Sequence, residues 1–195
     1  MEDLEALLKE IRACRVCAEH LPLGPRPVLR VSPSARLLII GQAPGTKVHE
    51  SGIPWNDASG QRLREWLDLS DEVFYDESRI ALLPSGLCYP GRDAKGGDKP
   101  PRPECAPLWH PRVLPHLTQV RLTLLVGGYA QKIALGKAAK GVRETVEGWR
   151  DFLPDYLPLP HPSWRTMNWE NKNPWFETEL LPELRRRVAE SLTNP

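Results

Sequence analysis

The segment 38-LIIGQAPGTKVHESGIPWNDASGQRL-63 opens as a buried strand and closes as a helix, and what lies between decides how the chain is read. Its aliphatic run stops at Gly41. The chain then lays out Gln42, Pro44, Gly45, His49, Glu50, Trp55, Asn56 and Asp57 before Leu63 restores a helical apolar period. Such a polar, small-residue loop is either an ordinary strand-to-helix connection or the lip of a site, because open parallel sheets bind ligands beyond the carboxyl ends of their strands. Around the first run, 36-RLLIIG-41, stand two more unbroken aliphatic runs, 79-RIALLP-84 and 121-RLTLLVGG-128, and a shorter one, 156-YLPLPHPS-163. None alternates apolar with polar residues, the pattern of strands covered on both faces. Helical periods fall at 2–13, 59–69, 104–117, 129–136 and 175–192, and residues 18–33 read as a proline-rich irregular arm. The predicted fold is α/β, a three-layer α/β/α sandwich with a central four-stranded, mainly parallel sheet, in a single domain spanning residues 1–195.

Bulk composition excludes several classes. The 195 residues are 41% hydrophobic and 26% charged with net charge +1, so nucleic-acid binding must rest on a local patch rather than an overall basic field. No apolar run approaches the ~20 residues of a membrane span. The N-terminal stretch MEDLEALLKEIRACR is charged, helical in pattern and without a signal-peptide core, which reads as a cytoplasmic protein with no membrane partner. The polar clusters all follow strands: GQAPG the first, PSGLCYPG the second, GGYAQ the third and HPSWR the fourth. Their convergence points to one site more strongly than any single motif does.

The four cysteines form a separate constellation. Cys14 and Cys17 make a CxxC after the first helix, and Cys88 and Cys105 follow the second strand with sixteen residues between them. A reduced cytosolic set of this kind reads as metal or redox chemistry, against the plainer alternative of four unrelated buried thiols. The CxxC follows a helix with no strand before it, which argues against a thioredoxin-like role. Structural zinc and a [4Fe–4S] cluster both accept four thiolates, and spacing alone leaves both open.

Together GQAPG, the later HPS and the cysteine pattern resemble the uracil-DNA glycosylase superfamily, most nearly its iron–sulfur branch, family 4. That branch carries a GEAPG-type motif with GxPF eleven residues after its first glycine; here Gly41–Gly45 are followed by Gly52-Ile53-Pro54-Trp55 at the same spacing. The stretches 98-DKPPRPECAPL-108 and 124-LLVGGYAQKIALG-136 also resemble family segments. The resemblance implies a DNA partner carrying a damaged base, a monomer scanning it, and hydrolysis of an N-glycosidic bond to release uracil or a related deaminated base. It also implies a structural [4Fe–4S] cluster on Cys14, Cys17, Cys88 and Cys105 in place of zinc.

Residue roles follow from the same likeness. Trp55, where the family has Phe, would stack on the flipped base, with core packing as the plain alternative. Gly41, Gln42, Ala43 and the amides of residues 42–45 would hold the leaving base. His161 would stabilise its anionic oxygen, unless it is a structural hydrogen-bonder. Ser163, Trp164, Arg165 and Lys172 would meet DNA. Three departures stand out. The family's acids fall on Val48 and His49, leaving His49, Glu50 and Asp57 as candidates to activate water. The family's uracil-reading Asn falls on Pro84, leaving Ser85, Asn56 or Asn168 to substitute. HPS replaces HPA. These departures keep two other readings alive: a non-catalytic or very slow lesion-binding protein, and a hydrolase of small nucleosides.

Overall fold

The computed structural model describes residues 2–94 and 96–193. Asp3 accepts a hydrogen bond from the Ala6 amide and so caps the first helix, α1 (Leu4–Arg12). The arm then leads into β1 (Leu37–Ile40). The opening loop holds a short helix, α2 (Thr46–Ser51), and α3 (Ala58–Leu67) follows, capped by Asp57 through the Gly60 amide. After α4 (Asp71–Phe74) come β2 (Ile80–Leu82), α5 (Cys105–Val113), β3 (Leu122–Val126), α6 (Gly128–Leu135) and α7 (Val142–Glu147). The chain ends with β4 (Tyr156–Leu159), α8 (Met167–Asn171), a π-helical turn (Phe176–Leu180) and α9 (Leu181–Leu192).

The sheet order is β2-β1-β3-β4 and every neighbouring pair is parallel. Odd and even strand positions face opposite layers. Leu37, Ile39, Leu122 and Leu124 pack with Leu63 and Trp66 of α3 and with Leu184 and Val188 of α9. Leu38, Ile40, Ala81 and Leu125 pack with Leu7 and Ile11 of α1 and with Trp109 and Val113 of α5. Burial of each such aliphatic side chain is worth about 1.5–3 kcal/mol, more than any local propensity, which is why the strands show no polar face. The expected three-layer sandwich is present. Pro158 in β4 is tolerated because β4 is an edge strand.

The arm is less irregular than its prolines suggest. Arg30 and Leu82 exchange backbone hydrogen bonds of 3.0 and 2.7 Å, and the Val28 amide donates to the Leu87 carbonyl at 2.7 Å. Arg30 therefore bridges antiparallel to Leu82 at the carboxyl end of β2, the other edge of the sheet, and Val28 continues beside the chain that follows it. The connection from β1 runs to β2 on one side and the chain returns to β3 on the other, so the switch point of the sheet falls between the carboxyl ends of β1 and β3. A crevice at that point is where an open α/β sheet takes its ligand. Among the described residues no helix is long and apolar enough to cross a membrane.

Candidate active site

The crevice exists, and the opening loop makes most of its wall. Gly41, Gln42, Ala43, Pro44 and Gly45 line it, together with Trp55, Asp57, Pro84, Asp98 and His161. The Gly41 carbonyl receives two hydrogen bonds from Ser85, from its amide at 2.9 Å and its hydroxyl at 2.7 Å, and the Gln42 carbonyl receives the Gly86 amide at 2.8 Å. These bonds continue the β1–β2 ladder past the strand ends and hold the carbonyls away from the crevice. Among the described residues the amides of Gln42, Ala43 and Gly45 donate to no protein acceptor. Unpartnered donors beside a cleft form a ready receptor for an oxygen that gains charge.

Trp55 forms one wall. A side chain on Gly41 would begin 2.6 Å from the indole ring, so only glycine lets the ring come this close. The backbone at Trp55 has φ 59°, a left-handed conformation that an aromatic residue adopts only when its surroundings hold it there. The Trp55 carbonyl accepts from Arg64 at 3.3 Å, and a side chain on Gly60 would begin 1.7 Å from that same oxygen. The two earlier readings of Trp55 merge: it is partly buried against the core and it also faces the crevice.

His161 follows β4, with its ring 6.1 Å from the Trp55 ring and tilted by 33°. Gly127, at φ +85°, leaves room beside it at the end of β3. The His161 carbonyl is fixed by the Ser163 amide at 2.8 Å and by the Thr166 hydroxyl. Burial holds the imidazole pKa below the usual histidine value against the opposing pull of Asp57 and Asp98, so the ring is neutral at pH 7. A neutral imidazole can donate a hydrogen bond without being a cation.

Of the three candidates for activating water, only Asp57 borders the crevice. Successive residues of a helix turn by about 100°. In α2 that rotation gives the crevice to Val48 and sends the other two elsewhere. His49 is buried against Tyr89, with ring centroids 6.0 Å apart, and Glu50 is exposed outside the crevice. Ser85 is also corrected: its buried hydroxyl is committed to Gly41 behind the wall. Asn56 and Asn168 are exposed and do not line the crevice. Gln42 lines it while its side-chain amide reaches the Lys99 carbonyl at 3.4 Å.

Asp98 was missed. It belongs to a hairpin in which Arg92 pairs with Asp98 and Asp93 exchanges hydrogen bonds with Gly97. Partial burial raises its carboxyl pKa above the usual range, opposed by Arg92 and His161 and reinforced by Asp57 and Asp93. The signal available was the GGD turn at the head of 98-DKPPRPECAPL-108, which does not say where the turn points.

The segment after His161 forms a prominence. Ser163 begins a turn of 3-10 helix, Trp164 is 74% exposed with Arg165 stacked 5.5 Å from its ring centroid, and Lys172 is exposed at the end of α8.

Cys14, Cys17, Cys88 and Cys105 line one apolar cavity with Leu87 and Trp109, between the arm and the head of α5. Burial pushes the Cys88 thiol up to about 11 and the Cys105 thiol up to about 12. The Leu87 amide donates to the Cys105 sulfur at 3.3 Å. Among the described residues no three His, Cys, Asp or Glu side chains form a group that could hold a single metal ion.

Fold and crevice define an α/β protein with a crevice at the switch point of its sheet. The sequence matches the family model of the uracil DNA glycosylase superfamily over residues 30–185, and the chain belongs to that superfamily. The matched segment holds Gly41–Gly45, Trp55, Asp57, Pro84, Asp98 and His161 of the crevice and the later cysteine pair; Val28 of the crevice, Cys14 and Cys17 lie before it.

Proposed function

We propose that this chain is a DNA glycosylase that excises uracil or a related deaminated base, and that it is of the iron–sulfur, family 4 type. One observation carries the reading: an indole face, free backbone amides, a neutral histidine and a carboxylate share one crevice. The flipped base stacks on Trp55, its carbonyl oxygens take the amides of residues 42–45, and His161 donates to the oxygen that becomes anionic as the glycosidic bond breaks. Pro84 replaces a side-chain amide in the wall, so base choice falls to backbone groups and to the width left by the indole. Trp164 and Arg165 approach the DNA beside the crevice.

Cys14, Cys17, Cys88 and Cys105 line one cavity and would hold the cluster, a group that takes four thiolates. When bound, the cluster supplies a crosslink between the arm and α5 and no chemistry in the crevice.

The test uses freshly purified protein with single- and double-stranded oligonucleotides carrying uracil, hypoxanthine or xanthine, followed by alkaline cleavage. Strand scission at the modified base is expected. No scission on any substrate, with retained binding to an abasic strand, would replace the enzyme by a lesion-binding protein. Release of base from free nucleosides alone would favour the small-molecule hydrolase. The sample should be brown; a colourless protein with stoichiometric zinc would remove the cluster.

A further inference from the structure

The loss of the family's acids leaves the crevice without an obvious residue to receive the proton of the attacking water. Two carboxylates nevertheless flank it. A side chain on Gly45 would begin 3.6 Å from the Asp98 carboxylate and 3.8 Å from that of Asp57, so both acids border the same bare stretch of backbone. Both also interact electrostatically with His161. Their environments differ. Asp57 is anchored, one oxygen accepting the Gly60 amide at 2.8 Å at the start of α3. Among the described residues no hydrogen bond engages the Asp98 carboxylate, which stands at the exposed rim on a separate hairpin.

Position and chemistry agree. The base enters the crevice toward Trp55 and His161, so the sugar carbon it leaves stays nearer the mouth. Water must reach that carbon from the face opposite the departing base, and a proton acceptor buried beneath the base could not meet it. An unengaged carboxylate at the rim can. Two carboxylates of unlike environment facing one reaction divide the roles of fixed charge and proton carrier.

We propose that Asp98 takes the proton of the attacking water, while Asp57, anchored by the Gly60 amide, faces and stabilises the developing sugar cation. This rests on the glycosylase reading above. The bond from C1′ to the base nitrogen breaks and its electron pair leaves with the base, whose anion is held by His161 and the loop amides. The water oxygen bonds to C1′, and its proton passes to Asp98 and then to solvent. The base anion takes a proton from solvent. The charged and titratable groups facing Asp98 are Arg92 and Asp93 on its own hairpin, Asp57 at the head of α3 and His161 after β4.

The experiment compares the full-length protein with Asp98→Asn and Asp98→Ser on a uracil-containing oligonucleotide under single turnover. Binding to an oligonucleotide bearing a tetrahydrofuran abasic site is measured in parallel. Both variants should lose about a hundredfold or more in rate, with affinity and melting temperature within experimental error of the parent and the acid limb of the pH–rate profile flattened. If the parent is active and either folded variant stays within about threefold of it, Asp98 is not the acceptor and the glycosylase reading stands. A rate loss matched by an equal loss of binding would make Asp98 a DNA contact and overturn the proposal. A parent that excises no base overturns both readings together.

Discussion

Neutral His161 can strengthen a hydrogen bond to an oxygen as that oxygen turns anionic, without first surrendering a proton. Its ring lies beside Gly127 and Trp55, while its carbonyl carries the bonds that shape the following turn. Function and folding are therefore separable at this position. His161→Ala should lower single-turnover excision by about 10²–10³-fold while moving the melting temperature little; losing both together would mark the histidine as structural. The same scale shows how far the sequence could be read. Gly41, Gln42 and His161 were legible because each belongs to a motif directly after a strand, and Trp55 and Asp57 because they close the same loop before α3. His49, Glu50 and Ser85 were assigned by proximity along the chain, and a helical rotation or a ladder bond turned each side chain away from the crevice. Asp98 lies forty-one residues beyond Asp57, and only the folded hairpin brings the two together.

Among the elements, the strands were legible and the short helices were not. Four aliphatic runs buried on both faces leave little choice of structure, whereas α2 and α7 are six residues each, too short to display a period. The π-helical turn before α9 was read as ordinary helix, because Phe176 and Leu180 keep an apolar face through it. The joint between the crevice loop and α3 depends on Gly60 more than on any side chain, since a methyl group there would meet the Trp55 carbonyl at 1.7 Å. Gly60→Ala should destabilise the protein by about 3 kcal/mol, read from denaturant midpoints, and should quench or shift the Trp55 fluorescence as the indole leaves Gly41. Because folding already holds that indole in place, stacking a base on it surrenders little of the ~0.5–1.5 kcal/mol that freezing a mobile side chain would cost.

For the molecule as a whole, two histidines whose pKa desolvation lowers set the response to acid. Burial lowers the pKa of both His161 and His110, opposed by Asp57 and Asp98 at the first and by the Pro84 carbonyl at the second. The unfolded chain binds these protons at about 6.5 and the folded chain only at lower pH, so stability is complete above 6.5 and falls as pH drops below it. Melting temperatures between pH 8 and 5 should decline accordingly, and His161→Ala should flatten part of that decline; a flat profile for the parent would contradict the neutral assignment. Removing the proposed cluster, or replacing Cys88 by Ser, should loosen the arm and lower the melting temperature, read by calorimetry with iron content as the control. The arm also does something for which its sequence offers no hint. Arg30 covers the carboxyl end of the outer edge of β2, and the cysteine cavity, lined by Pro25 and Pro27 of the same arm, helps to hold it there. An uncovered strand edge is a template for pairing with another chain. Oxidative loss of the proposed cluster would thus free this edge for self-association, and because Val28 of the same arm lines the crevice, it would loosen the crevice wall as well.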